Sequence, residues 1–440
     1  MAVHGLIEWT AKAGRRWPVL RACACVAYAC ARLFVPANSK QIAFCSHPDC
    51  SDNAYALFEQ VMKSPRAREF RIVWLAKDPE AARRILARDH PPAEAGHIRV
   101  VAKDTLRGLF WFLRSRYVFF TAGVYWFAQS GTHQTIVNLW HGMPIKRIGA
   151  FVSAISAQPP FAHYSLATSA FFADLMAQAF AMPRDRILVT GLPRNEWLFQ
   201  SDPRHLALRG TQSKLVVWLP TFRNWVDERR AWTDTDTDSQ DPITPERLAA
   251  LDSMLDGAGA LLILKFHPGD SRRLQMWPEY RNIRLYTHQR FQDEHLNLYK
   301  LLACSDALIT DYSSVAIDYL LLQRPIGFFV PDHATYARGF MPGVWERIST
   351  LGRELKSVEE LAAFVKELPP PPPVTPEMED LFQRDLLEPS AAVLRAVGLG
   401  VLLPADGISA EGCVRVMEDV GVNAHKPVKE LSRAAETKQV

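Results

Sequence analysis

Residues Lys214–Arg223 read KLVVWLPTFR. Leu215 to Leu219 is an unbroken apolar run closed by Pro220, the signature of a strand buried on both faces. It follows a polar stretch opened by Ser201-Asp202-Pro203 and starts a second series of alternating strand-like and helix-like segments. Upstream lies the first series. Strands are expected at Gln41–Cys45, Arg71–Leu75, Tyr117–Thr121, Thr135–Leu139 and Ile187–Thr190. Helices are expected at Asn53–Met62, Pro79–Ala87, Lys103–Leu113 and Ser169–Ala179. Downstream, strands Ala260–Lys265, Ile283–Leu285, Ala307–Thr310 and Pro325–Val330 accompany helices near Pro245–Leu255 and Ser314–Leu322. Strand–helix alternation means parallel strands joined by crossover helices. The restart at Lys214 therefore predicts two α/β domains, 37–200 and 214–400, with a linker at 201–213.

The 440 residues carry 51 Lys and Arg against 47 Asp and Glu, a net charge of only +4. That balance argues against a general polyanion binder, so no nucleic-acid partner is expected and basic character must act locally. Seven cysteines at irregular spacing fit neither a disulfide framework nor a zinc motif and suggest a reducing compartment. Segment 1–36 holds Lys12, Arg15, Arg16 and Arg21 ahead of an uncharged run, Ala22 to Ala31, closed by Arg32. Ten uncharged residues fall well short of the ~20 needed to span a bilayer. Two readings stand: a basic, apolar helix lying in a membrane interface, or an amphipathic helix packed on the first domain.

Asp227–Asp241 reads as an irregular polar loop, and its Asp234–Asp238 stretch lacks the Gly and Glu of a calcium loop. Pro369–Pro373 is expected to be extended. A break is expected at Pro389 within helical sequence around Glu377–Val397. Tail 401–440 has few periodic signals beyond Pro404 and is expected as a loosely held helix or disorder.

In open parallel sheets ligands bind outside the carboxyl ends of the strands. The residues leaving each strand are thus the candidates. After Thr135–Leu139 come Trp140-His141-Gly142-Met143-Pro144-Ile145-Lys146-Arg147, an imidazole on a tight turn followed by two cations. A general base must be held within ~2.6–3.2 Å of its proton, which such a turn achieves, although a structural loop histidine has the same pattern. After Lys214–Leu219 comes Arg223, a phosphate clamp or a surface arginine. After Ala260–Lys265 comes a second histidine, His267, stiffened by Pro268. After Ala307–Ile309 come Thr310-Asp311-Tyr312-Ser313-Ser314 and a helix start, which suits an anion or plain capping. Gly191-Leu192-Pro193-Arg194-Asn195 turns after Ile187–Thr190, and Arg194 either faces ligand or pairs with an acid. No glycine-rich phosphate loop or dinucleotide fingerprint is present, so ATPase and dehydrogenase readings lose support.

These segments, in this order, resemble the CDP-glycerol glycerophosphotransferase family, the polymerases and primases of teichoic acids and related capsules. The likeness rests on Ser51-Asp52-Asn53-Ala54, Val73-Trp74-Leu75, Trp140–Lys146, Gly191–Asn195, Pro220–Arg223, Lys265–Pro268, Thr310–Ser314 and Arg324-Pro325-Ile326, and covers about residues 38–395. Met143 stands where the family has Thr, and the stretch from Tyr336 to Gly343 is shorter than the family's. The resemblance implies a GT-B-like fold, two Rossmann-like parallel-sheet domains facing across a cleft, with donor on the second domain and acceptor on the first. It implies transfer of glycerol phosphate or ribitol phosphate from a CDP-activated donor to a polymer or lipid-linked hydroxyl, releasing CMP.

The implied roles are His141 as base and His267 at the donor diphosphate. Arg223, Thr310, Asp311, Ser313 and Ser314 hold donor phosphate; Asp52, Asn53, Lys146, Arg147 and Arg194 lie on the acceptor side. No resident metal or other cofactor is expected; any magnesium would ride on the donor diphosphate. The expected location is the cytoplasmic face of the membrane, with an anionic polymer or lipid-linked acceptor. The alternative is a nucleotide-sugar glycosyltransferase of the same architecture.

Overall fold

In the computed structural model, residues 18–90, 98–122, 124–129, 131, 133–152, 161–221, 243–266, 277–336, 339–373, 375–382 and 388–403 are described. They fall into two units, one within Met1–Gly142, Gly149–Glu196 and Gln383–Ser409, the other within Met143–Ile148 and Trp197–Phe382.

The first unit is built on seven parallel strands: β1 Asn38–Cys45, β2 Arg71–Ala76, β3 Ile98–Ala102, β4 Ser115–Phe120, β5 Thr135–Asn138, β6 Tyr164–Ala167 and β7 Ile187–Val189. Their order is β3-β2-β1-β4-β5-β6-β7. Successive side chains alternate between faces. Ala43, Cys45, Val73, Leu75, Val118 and Phe120 point to one side. There they meet Tyr28 of α1 (Pro18–Phe34) and Phe112 of α4 (Leu106–Arg114). On the other side Phe44 stacks on both Trp74 and Phe119, and Phe58 of α2 (Asp52–Lys63) meets Phe44 and Trp74 edge-on. α3 (Pro79–Asp89) and α5 (Ala170–Phe180) complete the crossovers.

The second unit repeats the plan with six strands: β8 Lys214–Leu219, β9 Ala260–Lys265, β10 Ile283–Tyr286, β11 Ala307–Thr310, β12 Ile326–Phe329 and β13 Arg353–Leu355. All are parallel, in the order β10-β9-β8-β11-β12-β13. Val216, Trp218, Leu262, Leu264 and Ile309 pack beneath Leu248 and Leu251 of α7 (Pro245–Met254) and Leu361 and Phe364 of α12 (Val358–Glu367). α8 (His288–Asp293), α9 (Leu298–Cys304), α10 (Val315–Tyr319) and α11 (Val344–Ile348) lie in the same unit.

Strand order reverses between β1 and β4 in the first sheet and between β8 and β11 in the second. These are the two switch points at which a doubly wound sheet opens a crevice at its carboxyl edge.

Several expectations change. β3, β6 and β13, and helices α9 and α12, were not assigned from sequence. The expected linker contains α6 (Pro203–Ala207), capped by Asp202, with His205 fully buried and accepting the Asn297 N–H at 2.8 Å. The boundary at residue 400 also shifts. After α13 (Pro376–Leu381) the chain returns to the first unit, where α14 (Pro389–Ala396) packs beside α2. Pro389 is the first residue of α14, a position where its missing N–H costs nothing. The Ser390 N–H donates to Glu196 Oε1 at 2.7 Å, and burial pushes that carboxyl up to about 7. The Asp227–Asp241 stretch, tail residues 404–440 and the cations Lys12, Arg15 and Arg16 lie outside the described residues.

α1 settles partly as the second reading of the N-terminal segment. Tyr28 is buried and its hydroxyl donates to Gln134 Oε1 at 3.1 Å, fastening one helix face to the first unit. Among the described residues no helix is long and apolar enough to cross a membrane.

Candidate functional site

The first switch point gathers residues from four strand ends. His141 follows β5 and is exposed, yet crowded enough by protein that desolvation holds its pKa below 6.5. A hydrogen bond with the Thr121 backbone carbonyl, just past β4, opposes that shift, as does the nearby Asp52 carboxylate; the Arg194 cation adds to it. A ring nitrogen that donates to a carbonyl must carry the proton, so the other ring nitrogen is left with a lone pair. The Trp140 ring lies against the imidazole, centroids 4.1 Å apart, and is met edge-on by Phe180 at 4.7 Å. The turn is tight: Trp140 has φ +56° and Gly142 φ +119°, and the Trp140 N–H is held by Asn138 Oδ1 at 3.0 Å.

Asn53 locks this turn in place. Its amide donates to the Leu139 and Trp140 carbonyls at 3.3 and 2.9 Å, and its oxygen accepts the Arg194 N–H at 3.0 Å. Asp52, itself at φ +58°, accepts from Arg194 Nη1 at 2.8 Å and from the Asn53 N–H at 2.8 Å. The Ala54 N–H goes to the Thr121 hydroxyl at 3.0 Å. The start of α2 is thus closed by protein groups.

The second switch point is built differently. Asp311, after β11, is 2% exposed and its two oxygens accept the Thr221 N–H, each at 3.0 Å. The Thr221 hydroxyl also donates to it. The Thr310 hydroxyl donates to the Leu219 carbonyl at 2.7 Å. Tyr312 is fully buried, stacked on Tyr336 at 3.9 Å and close to Phe340 and Trp345. Ser313 and Ser314 are half-buried; among the described residues neither hydroxyl makes a hydrogen bond, and α10 starts without a side-chain cap. Lys146 Nζ lies 3.4 Å from Thr221 Oγ1. At the end of neighbouring β9, Lys265 sits over the Phe291 ring at 5.2 Å, and burial lowers its pKa to about 8.

The structure therefore brings together Asp52, Asn53, His141 and Arg194 in one unit, and Lys146, Thr310, Asp311, Ser313 and Ser314 in the other. Arg223 and His267 lie outside the described residues. The expectation is revised for six of these residues. Thr310, with no exposed surface, and Asp311 bind neighbouring strand ends, so their side chains do not face a ligand. Asn53 is likewise fully buried and fully bonded: it positions the His141 turn. Lys146 and Arg147 belong to the second unit, where the Met341 N–H donates to the Ile145 carbonyl at 2.8 Å and the Arg147 N–H to the Gly339 carbonyl at 3.2 Å. Arg194 takes the second of its two readings and pairs with an acid. Sequence reading gave no role to Thr121 or Thr221; they follow β4 and β8, strands that flank a reversal of strand order, which is the signal that marks them.

A model of the family described as CDP-Glycerol:Poly(glycerophosphate) glycerophosphotransferase matches residues 27–370. A teichoic acid poly(glycerol phosphate) polymerase of Bacillus spizizenii is 22% identical over 337 residues, 70% of this chain and 78% of that one. A teichoic acid ribitol-phosphate primase of the same organism is 28% identical over 48% of this chain and 51% of its own. A similar polymerase of Staphylococcus epidermidis is 25% identical over 53% of this chain, which spans 35% of that relative's length. Among solved structures, the wall teichoic acid polymerase TagF aligns with a TM-score of 0.59 at 20% identity, covering 93% of both chains. The fold is of that two-domain, GT-B-like kind.

Proposed function

The chain belongs to the CDP-Glycerol:Poly(glycerophosphate) glycerophosphotransferase family, and from that premise we propose that it transfers a phospho-alcohol, glycerol phosphate or ribitol phosphate, from a CDP-activated donor. The acceptor is a hydroxyl of a teichoic-acid-like or capsular polymer, or of a lipid-linked primer. A bond forms between the acceptor oxygen and the alcohol-bearing phosphorus, the bond from that phosphorus to CMP breaks, and the acceptor proton passes to His141. The observation that carries the reading is the setting of His141: exposed, with desolvation lowering its pKa from the ordinary value and a hydrogen bond to the Thr121 carbonyl that leaves the other ring nitrogen to take a proton.

Donor phosphate is assigned to the Ser313 and Ser314 hydroxyls and to Lys146, whose cation stands beside Thr221. His267 and Arg223 join them on the strength of the family motifs Lys265–Pro268 and Pro220–Arg223. Phosphoryl transfer depends mainly on positioning and charge stabilisation, and several donors around a diphosphate suit it. No resident metal enters this reading; magnesium is placed on the donor diphosphate. The location is the cytoplasmic face of the membrane, reached by peripheral attachment through the basic N-terminal segment.

The test is a donor panel of CDP-glycerol, CDP-ribitol and UDP-sugars with a membrane acceptor, read by the nucleotide released. CMP from a CDP-alcohol is expected. UDP release with no CMP would replace this reading by the glycosyltransferase one.

A further inference from the structure

Lys265 closes β9 with a charge that nothing around it answers. Leu262 and Leu264 face the layer of α7 and α12, so Lys265, the next residue along, points to the opposite face of the sheet. There its ammonium rests over the Phe291 ring of α8 at 5.2 Å. Phe291 in turn meets Tyr286 edge-on at 5.6 Å, so the surroundings are aromatic. The acids of this helix are engaged elsewhere. Asp293 accepts from Gln289 at 2.8 Å, and Glu294 accepts from Tyr286 at 2.7 Å and from Arg290 at 2.8 Å. Among the described residues Lys265 makes no hydrogen bond or ion pair, and burial alone lowers its pKa to about 8.

Strand register places this lysine at the second switch point. Leu264 is paired with Trp218, and Leu219 with Thr310. One residue on from the first pair, Lys265 stands level with Leu219 and Thr310, in the last row of three neighbouring strands and on the same face. Strand spacing sets the backbones of Lys265 and Thr310 about 10 Å apart. Ser313 and Ser314, with their unengaged hydroxyls, follow three and four residues after Thr310. An ammonium removed from water without a counter-ion is destabilised until an anion joins it. The crevice thus holds a cation and two hydroxyls that lack an acceptor, on strand ends whose separation a lysine stem and a diphosphate span together. We propose that Lys265 is a further donor-binding residue, its ammonium meeting the nucleotide diphosphate opposite the Ser313 and Ser314 hydroxyls. This rests on the CDP-donor reading above and adds to it a cation from β9.

The test is calorimetric binding of CDP and of UDP to the full chain, from about pH 7 to about pH 10, alongside thermal melting. Lys265→Met keeps the apolar stem and removes the charge. It should weaken both nucleotides about 10–100-fold at neutral pH. It should melt no lower than the unaltered chain, because a buried charge without a counter-ion is gone. A lysine that only supports the fold gives the reverse, a lower melting temperature with unchanged nucleotide affinity, and that result overturns the inference. The pH profile is a second readout. Anion binding favours the charged amine, so the unaltered chain should take up a proton on binding and lose affinity about tenfold per pH unit above about 8. Lys265→Arg, which stays charged throughout, should bind within about fivefold of the unaltered chain at neutral pH and hold that affinity as pH rises. The inference is equally overturned if the profiles of the unaltered chain and Lys265→Arg coincide, a comparison that stands even where the Met variant does not fold. CDP and UDP carry the same diphosphate. A chain that prefers UDP therefore overturns the CDP-donor reading while the Lys265 loss stays measurable, and a chain that prefers CDP without that loss does the opposite.

Discussion

The two switch points stand on nearly the same strand order and differ in what their polar groups do. At β1/β4 the start of α2 is occupied by Asp52 and the Thr121 hydroxyl, and Asn53 ties the His141 turn to the Arg194 turn. At β8/β11 the start of α10 has no side-chain cap, and Ser313 and Ser314 keep their hydroxyls unengaged among the described residues. A base needs a fixed ring and gains from neighbours bonded to one another. A phosphate needs donors that are not already bonded. The closed crevice suits proton transfer and the open one suits anion binding, which is the division of labour proposed above.

The most severe way to break that comparison is to remove the base. His141→Ala should lower CMP release by about 10²–10⁴-fold with urea unfolding unchanged, because its exposed ring carries little of the core. A loss under about tenfold would take His141 out of the role. Next comes the open crevice. Ser313→Ala combined with Ser314→Ala should raise the donor KM by about 10–100-fold, each hydroxyl contributing about 1 kcal/mol as an ordinary hydrogen bond. Stability should stay within roughly 0.5 kcal/mol, since among the described residues neither hydroxyl has a protein partner to lose. A stability loss without a KM change would mean that these serines are structural and that the second crevice is closed too.

The closed crevice should respond in the opposite sense. Asn53→Ala leaves the Arg194 N–H without its acceptor and takes a donor from the Leu139 and Trp140 carbonyls. A cost of about 1–3 kcal/mol in urea unfolding is expected, with a smaller kcat and an unchanged donor KM. Asn53→Asp should not rescue, because an aspartate cannot donate to two carbonyls.

How much of this was legible before the structure follows from where each interaction lies along the chain. The central strands announced themselves because a parallel strand covered on both faces must be apolar throughout, as Leu215–Leu219 and Leu261–Leu264 are. Edge strands escaped notice: β13 reads only REL and β3 carries an exposed Arg99, for an edge strand is covered less completely. β6 hides behind the buried Ser165. Among site residues, the motifs named the right neighbourhoods, but composition could not say which polar side chains are consumed internally. Thr310, Asp311 and Asn53 look like ligand groups in a motif and prove to be bonded across the sheet to partners 86–141 residues away. Lys146 was misplaced for a related reason. Adjacency to His141 suggested a shared role, whereas the backbone of Ile145 and Arg147 pairs with Gly339–Met341, a non-local match that no short window contains.

The smallest expected effect separates a charge from a scaffold at the first switch point. Asp52 both accepts from Arg194 and holds the His141 pKa up against burial. Asp52→Asn keeps an oxygen for the Asn53 N–H and for Arg194 but removes the negative charge. His141 should then lose a proton more readily, so the acid limb of kcat/KM, already below pH 6.5, should move to lower pH. The sign follows from electrostatics: without the carboxylate, the imidazolium keeps the Thr121 bond but no longer has a negative charge to offset desolvation and the Arg194 cation, both of which disfavour it. The plateau rate at pH 8 should fall less than about tenfold, because the neutral ring and its Thr121 bond are untouched. Stability responds in the same direction. A histidine with a depressed folded pKa favours the native state fully only above its unfolded value near 6.5, and that contribution is lost as pH falls toward the folded value. Lowering the folded pKa further widens the window of loss on the acid side. If Asp52→Asn lowered activity equally at every pH and left the limb in place, Asp52 would be scaffolding for Arg194 alone, and the electrostatic half of the contrast between the two crevices would fall.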